Sequence, residues 1–530
     1  MIHSKTWKGA ALAGLVALGG WTQAAAAPGG IVLKPIGTYE TGIFNEGGAE
    51  IVAHDPDTQR LFVVSAVAAR VDVLDIRNPA SPRRVSSLDL TSFGGGVNSV
   101  AVKNGIVAVA VEAEDRQAAG KAVFFDTSGR LLSSVTIGAL PDMITFTPDG
   151  TRVLVANEGE PKDYCAAGLA GDPEGSVSVI DLSGGAAGLT QANVRTAGFG
   201  AFNIGALPLG IRIYGPGASV AQDLEPEYVA VSADSRTAWV TLQENNALAV
   251  IDIASATVTS LAALGTKDHS QPRNALDASD RDGGIRIAPW PVRGLYQPDA
   301  VAAYLSGGQQ YLVLANEGDA RDYECFGEEA RVGDLDLDAG AFPEGDALQA
   351  DEELGRLRTT TSGGDADADG DNDEIWTYGA RSISIRTPTG ELVWDSGNEL
   401  ELITAAAMPG DFNLNNDENG TFDTRSDDKG PEPEGVTVGD FRGRRYAFVG
   451  LERTSGIVVY DVTNPRAPFF VQHLHNRDFG GDAEAGTAGD LGPEGLIYIP
   501  RSESPISRAL LVVANEVSGT VTLYAIKPRS

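Results

Sequence analysis

One short motif recurs at distant points of this chain and always in the same local setting. Ala-Asn-Glu follows a short apolar run three times, at residues 156–158, 315–317 and 514–516. Weaker copies place Glu112, Glu244 and Glu452 after comparable runs. A Glu at the end of the same kind of strand in unit after unit indicates a repeat architecture.

Each unit has four runs rich in β-branched and aromatic residues, separated by Gly, Asn and Pro, as expected of strands and turns. Units begin near Glu50, Asn98, Asp142, Glu227, Asp299, Glu434 and Glu494, which gives seven units of about 45 residues once insertions are removed. The chain is therefore predicted to be an all-β, WD40/YVTN repeat-like, seven-bladed β-propeller, forming a single domain over residues 28–530. The last unit has three strands, and residues 31–39 are predicted to supply its fourth strand and close the ring.

The charge of the chain restricts its partners. The formal net charge is -33, with five His among 530 residues. Nucleic acid is excluded as a partner because phosphates require clustered Lys and Arg. Imidazole ligands for zinc are scarce, whereas carboxylates suited to Ca²⁺ are abundant.

The first residues resemble an export signal. Lys5 and Lys8 precede a short apolar stretch, and small residues at 24–27 resemble a cleavage site. Residues 1–27 are therefore predicted to be a Sec-type signal peptide. We expect a periplasmic or secreted monomer with no membrane span and no C-terminal anchor.

The two cysteines of the mature chain occupy equivalent positions. Cys165 and Cys325 each follow a matching Asn-Glu-Gly and Asp-Tyr stretch. In an oxidising compartment they are predicted to form a disulfide, and two free thiols are the alternative.

Propeller geometry predicts where the repeated acids meet. The start of the first strand and the end of the second strand of a blade open on the same face, near the axis. Acids start first strands at Glu50, Asp142, Glu227, Asp299, Glu434 and Glu494, and they end second strands at Glu112, Glu158, Glu244, Glu317, Glu452 and Glu516. We expect two rings of carboxylates at one mouth of the channel, neutralised by cations or with raised pKa values. Long insertions at 160–175, 203–225, 265–298, 319–373 and 398–433 are predicted to open on that face.

A separate acidic loop resembles the first half of a calcium-binding loop. Residues 365–374 place Asp at alternate positions before a Gly, with candidate ligands Asp365, Asp367, Asp369, Asp371 and Asp373. Trp376 occupies the place where a closing Glu is needed. The alternative is a flexible acidic linker.

Other charged clusters lie in the insertions. Arg425 and Lys429 are cations within an acidic segment that leads into Pro431–Gly435, and they are interpreted either as ligands for phosphate or carboxylate or as ordinary salt-bridge partners. Asp277, Asp280 and Asp282 form a further acidic cluster, with a turn-rich surface loop as the alternative.

These motifs together resemble the choice-of-anchor I family. The resemblance rests on residues 156–160, 276–280, 296–299, 378–382 and above all 425–435. Members are exported propellers similar to atypical bacterial alkaline phosphatases and to mesenchyme-specific cell-surface glycoproteins. The resemblance implies phosphatase activity or a calcium-linked surface role.

The primary hypothesis is a Ca²⁺-dependent phosphoesterase that acts on a phosphoester or another anionic small molecule. Its predicted metal ligands at the mouth are Glu158, Glu317, Asp299, Glu434 and Glu494, in addition to the Asp365–Asp373 loop. Its predicted catalytic residues are Glu158, Glu317 and Glu434, with Arg381, Arg425 and Lys429 to stabilise the phosphoryl oxygens. The alternatives are a non-catalytic, calcium-stabilised binding or scaffold module and an exported lyase or hydrolase acting on sugars.

Overall fold

The computed structural model describes residues 30–165 and 171–529. The predicted signal peptide lies outside the described residues. The first described strand, β1 (Ile31–Glu40), pairs antiparallel with the last strand of the chain. Four-stranded antiparallel sheets follow in chain order.

The first four of these sheets are built from consecutive strands. Sheet 1 contains β2 (Val52–Asp55), β3 (Arg60–Ser65), β4 (Arg70–Asp75) and β5 (Arg83–Asp89). Sheet 2 contains β6 (Gly96–Lys103), β7 (Ile106–Glu112), β8 (Ala119–Asp126) and β9 (Leu131–Ala139). Sheet 3 contains β10 (Pro141–Phe146), β11 (Arg152–Asn157), β12 (Ser176–Asp181) and β13 (Val194–Gly198). Sheet 4 contains β14 (Val229–Val231), β15 (Thr237–Leu242), β16 (Ala247–Asp252) and β17 (Thr257–Ala263).

Sheet 5 is interrupted by a long insertion between its second and third strands. Short strands β18 (Thr266–Asp268) and β19 (Val292–Leu295) precede sheet 5, which begins with β20 (Val301–Ser306) and β21 (Gln309–Asn316). Its long insertion carries β22 (Asp322–Tyr323), β23 (Phe326–Gly327), β24 (Glu329–Arg331), β25 (Arg358–Thr360) and β26 (Ile375–Thr377). Sheet 5 ends with β27 (Ser382–Arg386) and β28 (Leu392–Asp395).

Sheet 6 contains β29 (Pro433–Phe441), β30 (Arg444–Leu451), β31 (Ile457–Asp461) and β32 (Phe469–Leu474). Sheet 7 contains β33 (Pro493–Ile499), β34 (Leu510–Asn515) and β35 (Thr520–Pro528), with β1 as its fourth strand. The all-β class and the four-stranded repeat predicted from the sequence are confirmed.

In residues 30–165 and 171–529, helix is confined to short segments between strands. The α-helices are α1 (Val220–Asp223), α2 (Gly345–Leu348) and α3 (Glu399–Ala407). Single 3-10 turns lie at Ala186–Gly188, Gln191–Asn193, Gly200–Asn203, Pro272–Asn274 and Val332–Asp334. In the described residues, no helix has the length and apolar character needed to cross a membrane.

Neighbouring sheets pack through the middle strands. In β3, Phe62 and Val64 pack into a core shared with sheet 2, while Leu61 and Val63 pack into a core shared with sheet 7. Alternate residues of a strand point to opposite faces. Both faces of the sheet are therefore covered, which explains why the second strands read as unbroken apolar runs rather than as alternating ones.

The first strands of all these sheets line one cavity. It has a volume of about 460 Å³, and its wall includes residues 51–54, 99–102, 143–146, 228–231, 301–303, 436–437 and 496–499. Most of these side chains are apolar. The polar residues that the sequence analysis assigned to a channel mouth lie at one end of the same strands.

Candidate functional site

The recurring Asn and Gly of the motif have structural roles. The buried side-chain amide of Asn316 donates to the Ser382 carbonyl oxygen at 2.9 Å, and the amide of Asn157 donates to the Ser176 carbonyl oxygen at 3.1 Å. Each Asn thereby ties the end of a second strand to the third strand. Gly318 follows with a φ of 99° and its Cα beside Gly379, where an added Cβ would lie 2.2 Å from a backbone nitrogen. The motif therefore requires Asn and Gly to turn the chain while the intervening Glu projects elsewhere.

Strand register brings the two predicted sets of acids to the same end of their sheets. Pro141 pairs with Asn157, which places Asp142 and Glu158 side by side at the edge of sheet 3. The equivalent pairs Pro433 with Leu451 and Pro493 with Asn515 do the same for sheets 6 and 7.

Acids from different sheets also affect one another's pKa values. After burial, the charge of Asp142 contributes to the raised pKa of Glu50, of Glu227 and of Asp299, which precede or begin strands of three other sheets. Tyr228, whose pKa is raised first by burial, is also affected by Asp299 and Asp142. The acids of separate sheets therefore lie close enough to form one electrostatic unit at the cavity mouth.

The members of this unit are poorly solvated and strongly coupled in charge. We refer to them as the mouth carboxylates: Glu50, Asp142, Glu158, Glu227, Glu244, Asp299, Glu434, Glu494 and Glu516. Burial and then like charge raise the pKa of Glu50 to about 8 and the pKa of Asp142 to about 7. The same causes, in the same order, raise the pKa well above its ordinary value for Glu158, Glu227, Asp299, Glu434 and Glu494.

The mouth carboxylates lack counter-ions. Within residues 30–165 and 171–529, none of them forms an ion pair with Lys or Arg, whereas adjacent Glu317, Glu432 and Glu452 all do. Inaccessible oxygens that accept no hydrogen bond are Oε2 of Glu227, Oε2 of Glu244 and Oε2 of Glu434. Buried carboxylate oxygens without a donor are unfavourable unless a proton or a cation compensates them. Their chemistry fits a hard divalent cation such as Ca²⁺.

Three other predicted or neighbouring acids are neutralised by the protein itself. Carboxylate oxygens of Glu317, Glu432 and Glu452 lie within 4.8 Å of one another. Lys429 Nζ donates to Glu317 Oε1 at 2.6 Å and lies 3.3 Å from Glu432 Oε2. Arg453 Nε lies 3.0 Å from both Glu432 Oε2 and Glu452 Oε2. Protein cations therefore occupy the position that a metal ion would take, and Glu317 differs in this respect from the other predicted metal ligands.

The other predicted phosphate-binding cations are also engaged internally. Arg425 Nη2 lies 2.7 Å from Glu432 Oε1 and 2.9 Å from Asp428 Oδ2. Arg381 is buried, and its Nη1 donates to Glu401 Oε1 at 2.6 Å. The salt-bridge interpretation of the sequence analysis therefore describes Arg425 and Lys429, and Arg381 is likewise bound by an internal carboxylate.

The acidic loop brings three of its five predicted ligands together. Carboxylate oxygens of Asp365, Asp367 and Asp369 lie within 4.8 Å of one another, and all three residues are exposed. Asp365 Oδ1 accepts from the Ala368 backbone amide at 2.7 Å, which helps to curl the loop. Asp371 and Asp373 are not part of this group.

A disulfide joins two of the insertions beside the mouth. Cys165 and Cys325 are bonded, and the Tyr164 amide donates to the Glu324 carbonyl oxygen at 3.0 Å. Tyr164 also packs edge-on against Tyr323, with ring centroids 5.6 Å apart. The duplicated loops of the two motifs therefore meet directly.

Comparison with known proteins decides the family. A model of the choice-of-anchor I domain matches residues 50–465, which is most of the chain. The chain belongs to the choice-of-anchor I family. The resemblance drawn from the sequence motifs is thereby confirmed, and this family supports an extracellular or cell-surface location.

Two relatives of this choice-of-anchor I protein come from marine animals. Gigasin-3a of Magallana gigas is 31% identical over 192 residues, covering 34% of this chain and 67% of that protein. The mesenchyme-specific cell surface glycoprotein of Strongylocentrotus purpuratus is 29% identical over 221 residues, covering 35% of this chain and 28% of that protein. The second match therefore spans less than a third of the relative's length.

Solved structures with a similar overall course include two proteins of low sequence identity. A chain of Kuenenia stuttgartiensis hydrazine synthase aligns with a TM-score of 0.46 and 15% identity, covering 90% of this chain and 96% of that one. The WD40 domain of Toxoplasma gondii coronin aligns with a TM-score of 0.46 and 8% identity, covering 94% of this chain and 87% of that one.

Several residues of the choice-of-anchor I site were not predicted from the sequence. Glu432 and Arg453 complete the charge network around Lys429. Asp223 and Glu225 were missed as well; both pair with the fully buried Arg321, Glu225 at 3.0 Å. Arg453 directly follows Glu452, an acid predicted to lie at the mouth, and this position was the signal in the sequence that could have identified it. No comparable signal marked Asp223, because its role depends on a partner 98 residues away.

Proposed function

We propose that the seven four-stranded sheets are the blades of one closed propeller. The shared cavity lined by every first strand supports this arrangement. Contact between the first and last sheets supports closure: the Gly495 amide donates to the Glu50 carbonyl oxygen at 3.1 Å, and Leu510 packs with Leu61. β1 then serves as the outer strand of sheet 7 and joins the two ends of the chain.

We propose further that this propeller is an extracellular calcium-binding module whose ion site is the channel mouth. The observation that carries the proposal is the set of orphaned buried oxygens on Glu227, Glu244 and Glu434. Glu158, Asp299 and Glu494 complete the candidate ligands, because their pKa values are raised by burial and by the same negative surroundings. A bound Ca²⁺ would supply a positive centre at an otherwise negative opening.

A binding role fits the surroundings of the mouth better than catalysis does. The cations predicted to stabilise phosphoryl oxygens already contact carboxylates, with Lys429 on Glu317, Arg425 on Glu432 and Arg381 on Glu401. A carboxylate or phosphate group of a partner would therefore be held by the ion and not by these side chains. The relative from Strongylocentrotus purpuratus is named a cell surface glycoprotein, and a surface binding or scaffold role extends that description to this chain.

Calorimetric titration of Ca²⁺ tests the ion site. We expect the double variant Glu158→Gln/Glu227→Gln to weaken binding at the mouth by about tenfold or more, since even outer-shell changes at metal sites reduce affinity 10–100-fold. Glu391→Gln, at an exposed position with no side-chain partner among the described residues, is the matched control. Equal affinity in the double variant and the control would exclude the mouth as the site.

A phosphoesterase is the second candidate, favoured by the unpartnered carboxylate oxygens of Glu227, Glu244 and Glu434, which supply ligands for a catalytic metal ion. A metal ion held there would supply Lewis acidity toward a phosphoester. Hydrolysis of p-nitrophenyl phosphate, measured with Ca²⁺ and with chelator, separates the two candidates. Turnover that requires Ca²⁺ and disappears in Glu158→Gln/Glu227→Gln would favour the enzyme, whereas binding of Ca²⁺ without turnover would favour the binding module.

We also propose export through a Sec-type signal at residues 1–27, followed by a periplasmic or secreted location. The family's extracellular or cell-surface association and the disulfide are in keeping with this route. Amino-terminal sequencing of the mature protein from an expressing cell tests it. A first residue near position 27 is expected, and an intact start at Met1 would exclude cleavage.

A further inference from the structure

A second group of buried acids lies where two insertions meet beside the mouth. We call this place the junction. Asp277 comes from the connection before sheet 5, and Asp423 comes from the connection before sheet 6. Both are buried, at 0% and 3% exposure. A turn-rich surface loop was the alternative for the acidic cluster that contains Asp277. For Asp277 that interpretation is wrong, because Leu276, Ala278 and Trp290 pack into a local apolar core.

The two acids are held near each other by shared neighbours. Arg381 donates through Nη1 to the Asp277 carbonyl oxygen at 2.6 Å and through Nη2 to the Ser426 carbonyl oxygen at 2.8 Å. Ser426 Oγ in turn donates to Asp423 Oδ1 at 2.6 Å. One guanidinium therefore spans the two insertions. The junction is small enough that Asp423 affects the pKa of Asp277, which burial and then Glu401 raise to about 8.

Two oxygens in this junction have no partner. Asp277 Oδ2 accepts from the Arg286 backbone amide at 2.5 Å, but Asp277 Oδ1 is inaccessible and accepts nothing. Asn413, also fully buried, donates through Nδ2 to Ser426 Oγ at 2.9 Å, and its Oδ1 is likewise orphaned. Because Ser426 Oγ gives its proton to Asp423, it must accept from Asn413, which fixes the amide with its oxygen unsatisfied.

The basic residues nearby do not neutralise these acids. Arg381 pairs with Glu401, Arg356 with Asp280 and Asp427, and Arg286 with Glu353. Across residues 30–165 and 171–529, neither Asp277 nor Asp423 takes part in an ion pair with Lys or Arg. The junction thus combines two buried carboxylates that form no ion pair with the buried amide oxygen of Asn413. Oxygen ligands of this kind are preferred by Ca²⁺.

We propose that Asp277, Asp423 and the side-chain oxygen of Asn413 bind one Ca²⁺ ion that fastens the two insertions together. This site is separate from the mouth carboxylates and from the Asp365–Asp369 loop, and it does not depend on the proposed function. Asp282, whose charge also bears on both acids, lies at its partly exposed side. The ion would fix the segment that continues to Lys429, and so it would hold the rim of the mouth in place.

Luminescence of Tb³⁺, a stand-in for Ca²⁺, can report on this site through energy transfer from Trp290. The Trp290 indole donates to the Leu276 carbonyl oxygen at 3.1 Å, directly beside Asp277. The Trp376 indole donates to Glu374 Oε2 at 2.8 Å, beside the exposed acidic loop. Emission excited through tryptophan in Trp376→Phe should therefore come mainly from the junction, whereas emission in Trp290→Phe should come mainly from the loop.

In the Trp376→Phe background we expect Asp423→Asn to weaken Tb³⁺ binding by about tenfold or more. Asp423 has a φ of 70°, a conformation that Asn tolerates well, so this variant should fold. Asp277→Asn is the second variant, because its amide oxygen can still accept from the Arg286 backbone. Glu391→Gln, at an exposed position with no side-chain partner among the described residues, is the control and should leave this emission unchanged.

Several outcomes would overturn the proposal. Trp290-dependent emission that is absent, or that is the same in Asp423→Asn and the control, would show that no ion binds here. A Ca²⁺ affinity unchanged by both junction variants would lead to the same conclusion. If Asp277→Asn raises the free energy of unfolding in chelator and leaves Tb³⁺ binding unchanged, Asp277 is a protonated acid and not a ligand. Loss of emission in both junction variants but not in the control would support the site even if binding at the mouth failed its own test.

Discussion

Lys429 Nζ donates to Glu317 Oε1 at 2.6 Å and to the Gly318 carbonyl oxygen at 2.6 Å. The ammonium group therefore caps the turn of the repeated Asn-Glu-Gly motif. Both side chains are largely buried, at 11% exposure each. Glu432 is the third member, and although burial would raise its pKa, Lys429, Arg425 and Arg453 outweigh burial and hold that pKa below its ordinary value. These three cations thus hold the Glu432 carboxylate in its ionised form.

Removing the ammonium group should destabilise the protein and create a cation site. In Lys429→Met, the carboxylates of Glu317, Glu432 and Glu452 remain within 4.8 Å of one another without this counter-ion. We expect the free energy of unfolding in chelator to fall by about 3–5 kcal/mol, as when one partner of a buried ion pair is removed. Added Ca²⁺ should restore part of this loss by binding the folded state alone. Urea denaturation with and without Ca²⁺ measures both effects.

Lys429→Arg is the matched control, because it keeps the charge but changes the geometry. It should lose less stability than Lys429→Met and should gain little from Ca²⁺. If Lys429→Met is as stable as the parent and loses affinity for inorganic phosphate instead, the lysine is an anion ligand and the network is not its main role.

The mouth carboxylates should make the calcium-free protein sensitive to alkaline pH. Burial and like charge raise the pKa of Glu50 to about 8 and, for Asp142, to about 7. A group whose pKa is higher in the folded state stabilises that state fully below its unfolded pKa and ceases to do so as pH rises through the folded pKa. The free energy of unfolding in chelator should therefore fall between about pH 5 and pH 8.

Saturating Ca²⁺ should flatten this dependence, because the ion favours the ionised carboxylates and replaces the protons. Denaturation curves at several pH values, with chelator and with Ca²⁺, provide the measurement. The variant Glu50→Gln should reduce the slope in chelator, whereas Glu391→Gln should not. If the free energy of unfolding in chelator is the same from pH 5 to pH 8, the pKa values of the mouth carboxylates are not raised in the folded protein.

The disulfide should stabilise the folded state by restricting the unfolded chain. Cys165 and Cys325 are separated by 160 residues, so their bond restricts a large part of the unfolded chain. The double variant Cys165→Ser/Cys325→Ser should lose about 2–5 kcal/mol, as observed for native disulfides in other proteins. Urea denaturation measures the loss, and far-ultraviolet circular dichroism should show unchanged strand content.

The parent protein treated with a reductant provides the control for the serine changes themselves, and it should match the double variant. Residual contacts between the insertions, such as the edge-on packing of Tyr164 against Phe326 with centroids 5.3 Å apart, will limit the effect. Unchanged stability in both the variant and the reduced parent would show that these contacts hold the loops without the bond.

The repeat made most of the sheet architecture predictable, whereas charge pairing was beyond the sequence. Asp142 and Glu158 could be placed at one edge because antiparallel pairing of consecutive strands fixes their register. Lys429 and Glu317 are 112 residues apart, and nothing in either local sequence specifies the partner. Long-range pairs of this kind depend on how insertions fold over the mouth, which strand periodicity does not determine.

Burial of acids in the insertions was equally difficult to predict. Asp277 belongs to a run of Asp, Ser, Arg and Gly that is typical of an exposed turn. Its burial arises because Leu276 and Trp290 join Val332 and Leu354 in a small core built from two insertions. The insertion residues that form this core are spread over two connections, so no single window of sequence shows the pattern.

The Arg381–Glu401 pair allows a direct test of how the insertions are held at the rim. Both side chains are almost fully buried, at 3% and 2% exposure, and Arg381 also binds backbone carbonyl oxygens of Ser426 and Asp428. Arg381→Met leaves Glu401 without its cation and should lower the free energy of unfolding by about 3–5 kcal/mol. Glu401→Gln should be milder, because the amide oxygen of Gln can still accept from Arg381.

The double variant Arg381→Met/Glu401→Gln should be more stable than the sum of the single losses predicts, because it no longer contains an unpaired buried charge. A coupling energy of about 0.5–3 kcal/mol from the double-mutant cycle is expected for residues in direct contact. Urea denaturation of the four proteins gives this coupling. Hydrogen exchange then locates the effect: amides of residues 423–430 should lose protection in Arg381→Met while those of β30 keep it. Strictly additive losses, or uniform loss of protection across sheet 6, would mean that Arg381 stabilises the whole sheet and not only the insertions beside the mouth.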